Sequence, residues 1–265
     1  MNAGTRRQAV AAATDALAAA GCGTPALDAE VLIADALGID RGGLVADPGA
    51  GVPAAAARLA GERIRRRVAR EPVAYILGHK GFRYVDLMVD GRVLIPRPET
   101  ELLVEVALEL PAGASVHDVG TGSGAVALAV KSERPDLEVG ASDLSPDAVA
   151  VARSNAARLG IDMDIELAEG LPPGSYDLVL ANLPYVRDGE RLQPEIEHYE
   201  PPAALFAGPD GLDAIRGLLA QSPPGTRLAL EHAPDQAATV RRLLTAAETR
   251  RDLAGHERVT VGVAR

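Results

Sequence analysis

The chain has a single cysteine, Cys22, among 265 residues. That excludes an internal disulfide framework and a cysteine-based zinc site. No stretch approaches ~18 uninterrupted apolar residues, so no membrane span is expected. The opening segment, MNAGTRRQAVAAATDALAAA, has two arginines, but its Ala-rich part carries Asp15 and continues in helical register. It reads as a helix and not as an export signal. With a lone thiol and no such signal, the expected compartment is the cytoplasm. A basic excess is lacking too: net charge is −10, which argues against a protein that wraps nucleic acid, whose phosphates favour a basic face. The one local exception, ERIRRRVAR from Glu62 to Arg70, reads as a solvated helix face or, failing that, as a docking surface for an acidic partner. No histidine pattern has metal spacing. His117 reads as a strand residue and His198 and His232 as surface, while Glu195 and Glu197 read as solvated. No internal repeat or long low-complexity segment is present.

What the chain does have is 47% hydrophobic content, enough for a sizeable core. Roughly the first 75 residues carry helical apolar spacing, over 5–20, 28–37 and 53–70, the last opening on Pro53. Two short apolar runs around Asp90-Gly91, within 82–96, predict a β-hairpin. A helix follows over 101–110. From residue 114 the pattern alternates: strand SVHDVG, helix GAVALAVKSE, strand LEVGASD, a helix ending on Gly160, strands MDIELAE and YDLVLAN, strand TRLALEH, helix QAATVRRLLTAAE over 236–248, and two short strands around Ala254-Gly255. Such alternation implies an α/β fold with a mostly parallel sheet covered on both faces. Ligands on such sheets bind beyond the carboxyl ends of the strands, where strand order reverses.

Two motifs fall at strand ends. The loop His117-Asp118-Val119-Gly120-Thr121-Gly122-Ser123-Gly124-Ala125 follows a strand and opens a helix, with three glycines that let the backbone turn sharply and approach a ligand. Gly120, Gly122 and Ala125 also satisfy the dinucleotide fingerprint. About 20 residues on, Asp143 is placed to accept hydrogen bonds from ribose hydroxyls. Both features fit NAD or S-adenosylmethionine. Asp143 and Ser145 also suit a helix cap.

Asn182-Leu183-Pro184-Tyr185 separates those two donors. Hydride transfer has no need of it, whereas methylation of an amide or amine does. A carboxamide nitrogen is a poor nucleophile, because its lone pair is delocalised into the carbonyl. It has to be held by both N–H groups. The Asn182 side-chain oxygen can accept one and the Leu183 carbonyl the other. Pro184 keeps Leu183 extended, and Tyr185 offers a flat face to a planar group.

Taken together, these segments resemble the HemK/PrmC family of release-factor glutamine methyltransferases. The likeness is carried by REPVAYILG (Arg70–Gly78), LIPRPETE (Leu94–Glu101), DVGTGSGA (Asp118–Ala125), SDLSPDA (Ser142–Ala148), the Asn182 motif, Tyr199-Glu200-Pro201 and RDLAGHERV (Arg251–Val259). It implies a helical substrate-docking domain over 1–78, a β-hairpin linker over 79–97 and a seven-stranded, Rossmann-like class I methyltransferase domain over 98–265. It implies S-adenosylmethionine as donor, held by Gly120, Thr121, Gly122, Ser123, Gly124, Asp143 and Leu144, with Asn182, Arg97 and Glu99 beside it. It also implies that Asn182 to Tyr185 bind the glutamine of the Gly-Gly-Gln motif of class 1 peptide release factors. The family usually reads Asn-Pro-Pro-Tyr, and Leu183 replaces the first proline. Its usual Glu-Ile-Gly is Glu231-His232-Ala233 here, and the segment Gly170–Gly174 lacks the aromatic expected beside an adenine. Asn-Leu-Pro-Tyr also resembles the motif of ribosomal RNA adenine dimethylases, so a nucleic-acid adenine methyltransferase is the rival reading. A paralogue acting on another amide, or a module that binds the donor without turnover, would carry the same glycine loop.

Overall fold

The computed structural model describes residues 4–265 and divides into two compact units. One is Met1–Gly78 with Leu192–Tyr199; the other is His79–Arg191 with Glu200–Arg265.

The helical unit contains α1 (Arg6–Ala19), α2 (Pro25–Leu37), α3 (Arg41–Ala46), α4 (Ala54–Val68) and α5 (Val73–Leu77). Thr5 starts α1 with a capping box: its hydroxyl accepts from Gln8 N, and Gln8 Oε1 accepts from Thr5 N at 2.9 Å, so two otherwise orphaned donors are satisfied. Gly38, at φ 67°, ends α2. Leu17, Ala29, Ile33, Leu44 and Ala60 form the core. The Arg-rich run is not simply a solvated face. Arg67 is buried: its Nε donates to Asp28 Oδ2 at 2.7 Å and its Nη2 to Glu195 Oε1 at 3.1 Å, and Arg70 pairs with Glu195 as well. Glu195, expected to be solvated, is therefore an ion-pair partner for two arginines.

The second unit opens with a hairpin of β1 (His79–Phe82) and β2 (Val85–Met88). Its turn is Arg83-Tyr84, not the expected Asp90-Gly91. Arg83 adopts φ 47° and is clamped by Glu133, Nε to Oε1 at 2.5 Å. Asp90-Gly91 does turn the chain, since Val93 N donates to Asp90 O. The arm beyond it does not pair back, because Ile95 N donates to Glu200 Oε2 at 3.2 Å.

Next come α6 (Glu101–Leu108), β3 (Ser115–Val119), α7 (Ala125–Glu133), β4 (Glu138–Asp143), α8 (Pro146–Leu159), β5 (Asp164–Leu167) and β6 (Leu178–Ala181). After α9 (Pro194–Glu197), which belongs to the helical unit, follow α10 (Asp213–Gln221), β7 (Arg227–Glu231), α11 (Ala237–Leu243), β8 (Thr245–Arg251) and β9 (Glu257–Val263). The seven-stranded sheet runs β5-β4-β3-β6-β7-β9-β8, parallel from β5 to β7 and antiparallel at β9 and β8. The helix expected over 236–248 stops at Leu243. Thr245–Arg251 instead runs as the edge strand beside β9, with Ala246-Ala247 at a register shift between the paired Thr245 and Glu248, so pairing on either side overrides the helix preference of this segment.

Side-chain alternation along β6 splits the core between two faces. Leu178 and Leu180 pack into one cluster with Leu103, Val104 and Leu128. Val179 and Ala181 pack into the other with Ile215, Leu230 and Val240. His232, expected at the surface, is fully buried and bonds Thr260 Oγ1 through Nε2 at 2.8 Å.

Candidate active site

The chain runs outward from β3 through β4 to β5, then crosses back to place β6 on the other side of β3. Register does the rest. Val119 lies opposite both Ser142 and Ala181, and Ala181 lies opposite Leu230. The next residues, Gly120, Asp143, Asn182 and Glu231, therefore leave four adjacent parallel strands at the same end of the sheet, where strand order reverses.

The glycine loop is tied down on all sides. Gly120 N and Thr121 N both donate to Ser142 O. The Thr121 hydroxyl donates to Asp118 Oδ2 at 2.6 Å. Gly122 N donates to Asp143 Oδ2, and Ser145 N to Asp143 Oδ1, each at 2.9 Å. Asn155, fully buried, donates to Ser123 O at 2.9 Å and to Met88 O at 3.0 Å. Gly124 takes φ 85° where α7 begins, and a Cβ there would sit 2.7 Å from Leu128 Cδ1. A Cβ on Gly122 meets nothing within 4 Å. The loop thus turns on left-handed glycines and leaves open space at Gly122. Burial pushes the Asp118 carboxyl up to about 7, against the pull of the Thr121 hydroxyl.

Loop and strand ends border a cavity of about 720 Å³, within the usual range for a small-molecule site. Gly120, Thr121, Gly122, Ser123, Asp143, Leu144, Asn182, Leu183 and Pro184 all line it. Leu144 is 68% exposed, an apolar side chain free to cover a ligand. Asp143 spends one lone pair of each oxygen on a backbone N–H and keeps others for hydroxyl donors. These residues fit a nucleoside-bearing methyl donor: a glycine loop opening a helix, a carboxylate on the next strand and an apolar wall beside it.

Asn182 is oriented. Its Nδ2 donates to Thr100 Oγ1 at 3.0 Å, and Thr100 also lines the cavity. With one donor engaged there, the amide oxygen points the other way. Four expected site residues, Arg97, Glu99, Gly124 and Tyr185, do not line this cavity. The Tyr185 hydroxyl is turned to Glu231 Oε1 at 3.3 Å, and its carbonyl accepts from Gln236 Nε2 at 2.9 Å. Burial raises the Tyr185 phenol well above its ordinary range. Arg97 pairs with Glu200 and donates to Ile95 O at 3.0 Å, so it braces the segment ahead of α6. Glu99 also stands outside the wall. Thr100, Glu231 and Phe206 are what sequence reasoning missed. Phe206, in the wall, supplies an aromatic from a segment remote from Gly170–Gly174. The one available signal was Glu231, an acid placed directly after Leu228-Ala229-Leu230 at the end of its strand.

The model of the PrmC N-terminal domain matches residues 8–78, and that of the methyltransferase small domain matches 98–198. A release factor glutamine methyltransferase of Caulobacter vibrioides is 39% identical over 95% of this chain and 94% of its own length. One of Deinococcus radiodurans is 40% identical over 95% and 96%, and one of Pseudomonas aeruginosa is 44% identical over 89% and 91%.

Proposed function

Because the chain belongs to the family of release factor glutamine methyltransferases, we propose that it methylates the side-chain amide nitrogen of the glutamine in the Gly-Gly-Gln motif of class 1 peptide chain release factors. The observation that carries this reading is the Asn182 amide. Its nitrogen is spent on Thr100 and its oxygen is left for a substrate N–H, in the wall of the cavity that also carries the glycine loop. An amide substrate needs acceptors, and this arrangement offers one.

S-adenosylmethionine supplies an electrophilic methyl group when bound, and Gly120, Thr121, Gly122, Ser123, Asp143 and Leu144 are the residues that would hold it. The Asn182 oxygen accepts one N–H of the glutamine carboxamide and the Leu183 carbonyl accepts the other. Pro184 keeps Leu183 extended, so its carbonyl stays available. Two acceptors in fixed positions aim the nitrogen and its π lone pair without a strong base. Orientation of this kind contributes ~7–11 kcal/mol when the reacting atoms are well aligned. Tyr185 serves this site from behind, anchoring the loop through Glu231 and not stacking on substrate. Residues 1–78 are the part that docks the release factor, 79–97 join it to the rest, and 98–265 carry out the transfer. The reaction belongs to the cytoplasm, where translation ends. No described helix is long and apolar enough to cross a membrane.

The test incubates the protein with tritiated methyl donor and purified release factor, with its Gly-Gly-Gln glutamine intact or changed to alanine. Label on the intact factor alone is expected. Label persisting on the altered factor, or appearing only on added RNA, overturns the reading. Asn182→Ala is expected to lower kcat by at least about a hundredfold while donor affinity stays within about tenfold.

A further inference from the structure

The stretch Ile95-Pro96-Arg97-Pro98 leads into the part of the wall that carries Thr100. Its two prolines fix their own φ and hold the residues before them extended; Arg97 takes φ −100° and ψ 147°. Neither proline has an N–H to give to a ladder, and Ile95 to Arg97 belong to no strand. The stretch is stiff, yet main-chain pairing does not set where it lies. Side chains have to.

Glu200 does this. It is 3% exposed, and both of its carboxylate oxygens are engaged. Oε2 accepts from Ile95 N at 3.2 Å, and Oε1 accepts from Arg97 Nη2. Arg97 Nη1 in turn donates to Ile95 O at 3.0 Å, so the N–H and the C=O of Ile95 are both held. Charge-assisted bonds of this kind fix geometry as well as adding energy. The ring of contacts continues forward. Thr100 N donates to Arg97 O at 3.2 Å, and Thr100 Oγ1 accepts from Asn182 Nδ2 at 3.0 Å. Pro96 and Pro201, each next to a member of the ring, line the cavity together with Thr100 and Asn182. The clamp therefore stands directly behind the wall at Asn182.

We propose that Glu200 is a positioning residue for the transfer: with Arg97 it fixes the segment from Ile95 to Thr100 and so holds Asn182 where it can receive the substrate amide. The inference rests on the reading that Asn182 receives that amide. A misplacement of about 1 Å near reacting atoms costs on the order of a hundredfold in rate, so a loosened wall is felt in the chemistry. The glycine loop has its own anchors, Ser142 O and Asp143 Oδ2. Loss of the clamp therefore separates placement of the amide from binding of the donor.

Glu200→Gln tests the clamp with little change of shape. Its one amide oxygen can serve Ile95 N or Arg97 but not both, and its NH2 then faces the other donor. The Arg97 side chain, 28% exposed, can turn to water, so the fold persists. Glu200→Gln is expected to lower kcat on release factor by about tenfold or more, with donor Kd within about threefold. Arg97→Lys keeps the pair with Glu200 and loses the bond to Ile95 O, and is expected to fall between wild type and Glu200→Gln. In an Asn182→Ala background, Glu200→Gln is expected to cost less than about threefold more, because it acts through Asn182. The same loss in both backgrounds, or a donor Kd weakened as much as kcat falls, overturns the proposal. A second readout needs no substrate. Followed by 15N-edited NMR, the Ile95 N–H and the Asn182 Nδ2 protons are expected to exchange with water about tenfold or more faster in Glu200→Gln than in wild type, while the Gly122 N–H keeps its rate. Unchanged exchange at Ile95 and Asn182 overturns the positioning role whether or not release factor is the substrate. Faster exchange there without label on release factor upholds the clamp and faults the substrate reading alone.

Discussion

His117 gives a sharp test of how burial governs this fold. Its side chain is 4% exposed in β3, with Nε2 3.0 Å from Ser142 Oγ and the ring centroid 4.9 Å from that of Tyr176. Burial holds the imidazole neutral, lowering its pKa from 6.5 to about 4. An unfolded chain takes up a proton here as pH drops through 6.5, while the folded one resists until about pH 4. The stabilisation is therefore complete above 6.5 and is lost as pH falls towards 4. At about 1.4 kcal/mol for each factor of ten, the full window is worth about 3 kcal/mol. Asp118 and Glu231, each raised by burial to about 7, act in the opposite sense. Their folded forms keep protons that unfolded carboxyls release, so their contribution improves as pH falls below 7. Comparing wild type with His117→Gln cancels those carboxyls. Urea unfolding at pH 7.5, 6 and 4.5 is expected to show the stability gap moving in favour of His117→Gln by about 3 kcal/mol across the range. Parallel stability curves, with a constant gap, would refute the reasoning.

Three further outcomes are expected. Gly124→Ala, which forces a Cβ against Leu128 at a positive φ, is expected to lose about 2–4 kcal/mol by thermal melting, and Gly122→Ala, with open space around it, about 1–2. Equal losses would mean that packing is not what demands the third glycine. Asp143→Ala removes the acceptor for Gly122 N and Ser145 N. Calorimetry should record donor affinity reduced by about tenfold or more, and an unchanged affinity would remove Asp143 from the donor site. Arg67→Met leaves Asp28 and Glu195 short of a partner in the helical unit and is expected to cost about 3–5 kcal/mol. Adding Asp28→Leu should recover part of that loss, and no recovery would show that the buried charge is not its source.

Several departures from the sequence reading share one cause: long-range partners that linear pattern does not encode. Residues 245–248 have helical composition but sit where β9 offers an open edge. Asp90-Gly91 is good hairpin chemistry, yet Arg83 is clamped by Glu133 fifty residues on and Ile95 is claimed by Glu200. His232 ends a strand and looked solvent-facing, but Thr260 on a neighbouring strand closes over it. Arg67 and Glu195 looked like ordinary surface charges until α4 and the Leu192–Tyr199 segment were brought into one unit.

By itself the sequence determined the parallel α/β sheet, the glycine loop at the end of β3, the acid closing β4 and the amide closing β6, because apolar period and turn chemistry are local properties. Only the tertiary structure decided that these ends meet. Strand register aligns Gly120, Asp143, Asn182 and Glu231, and that alignment depends on the crossover that seats β6 beside β3. It also decided what the Asn182 amide meets: its Nδ2 donates to Thr100, 82 positions away in the chain, a partner that linear pattern does not encode.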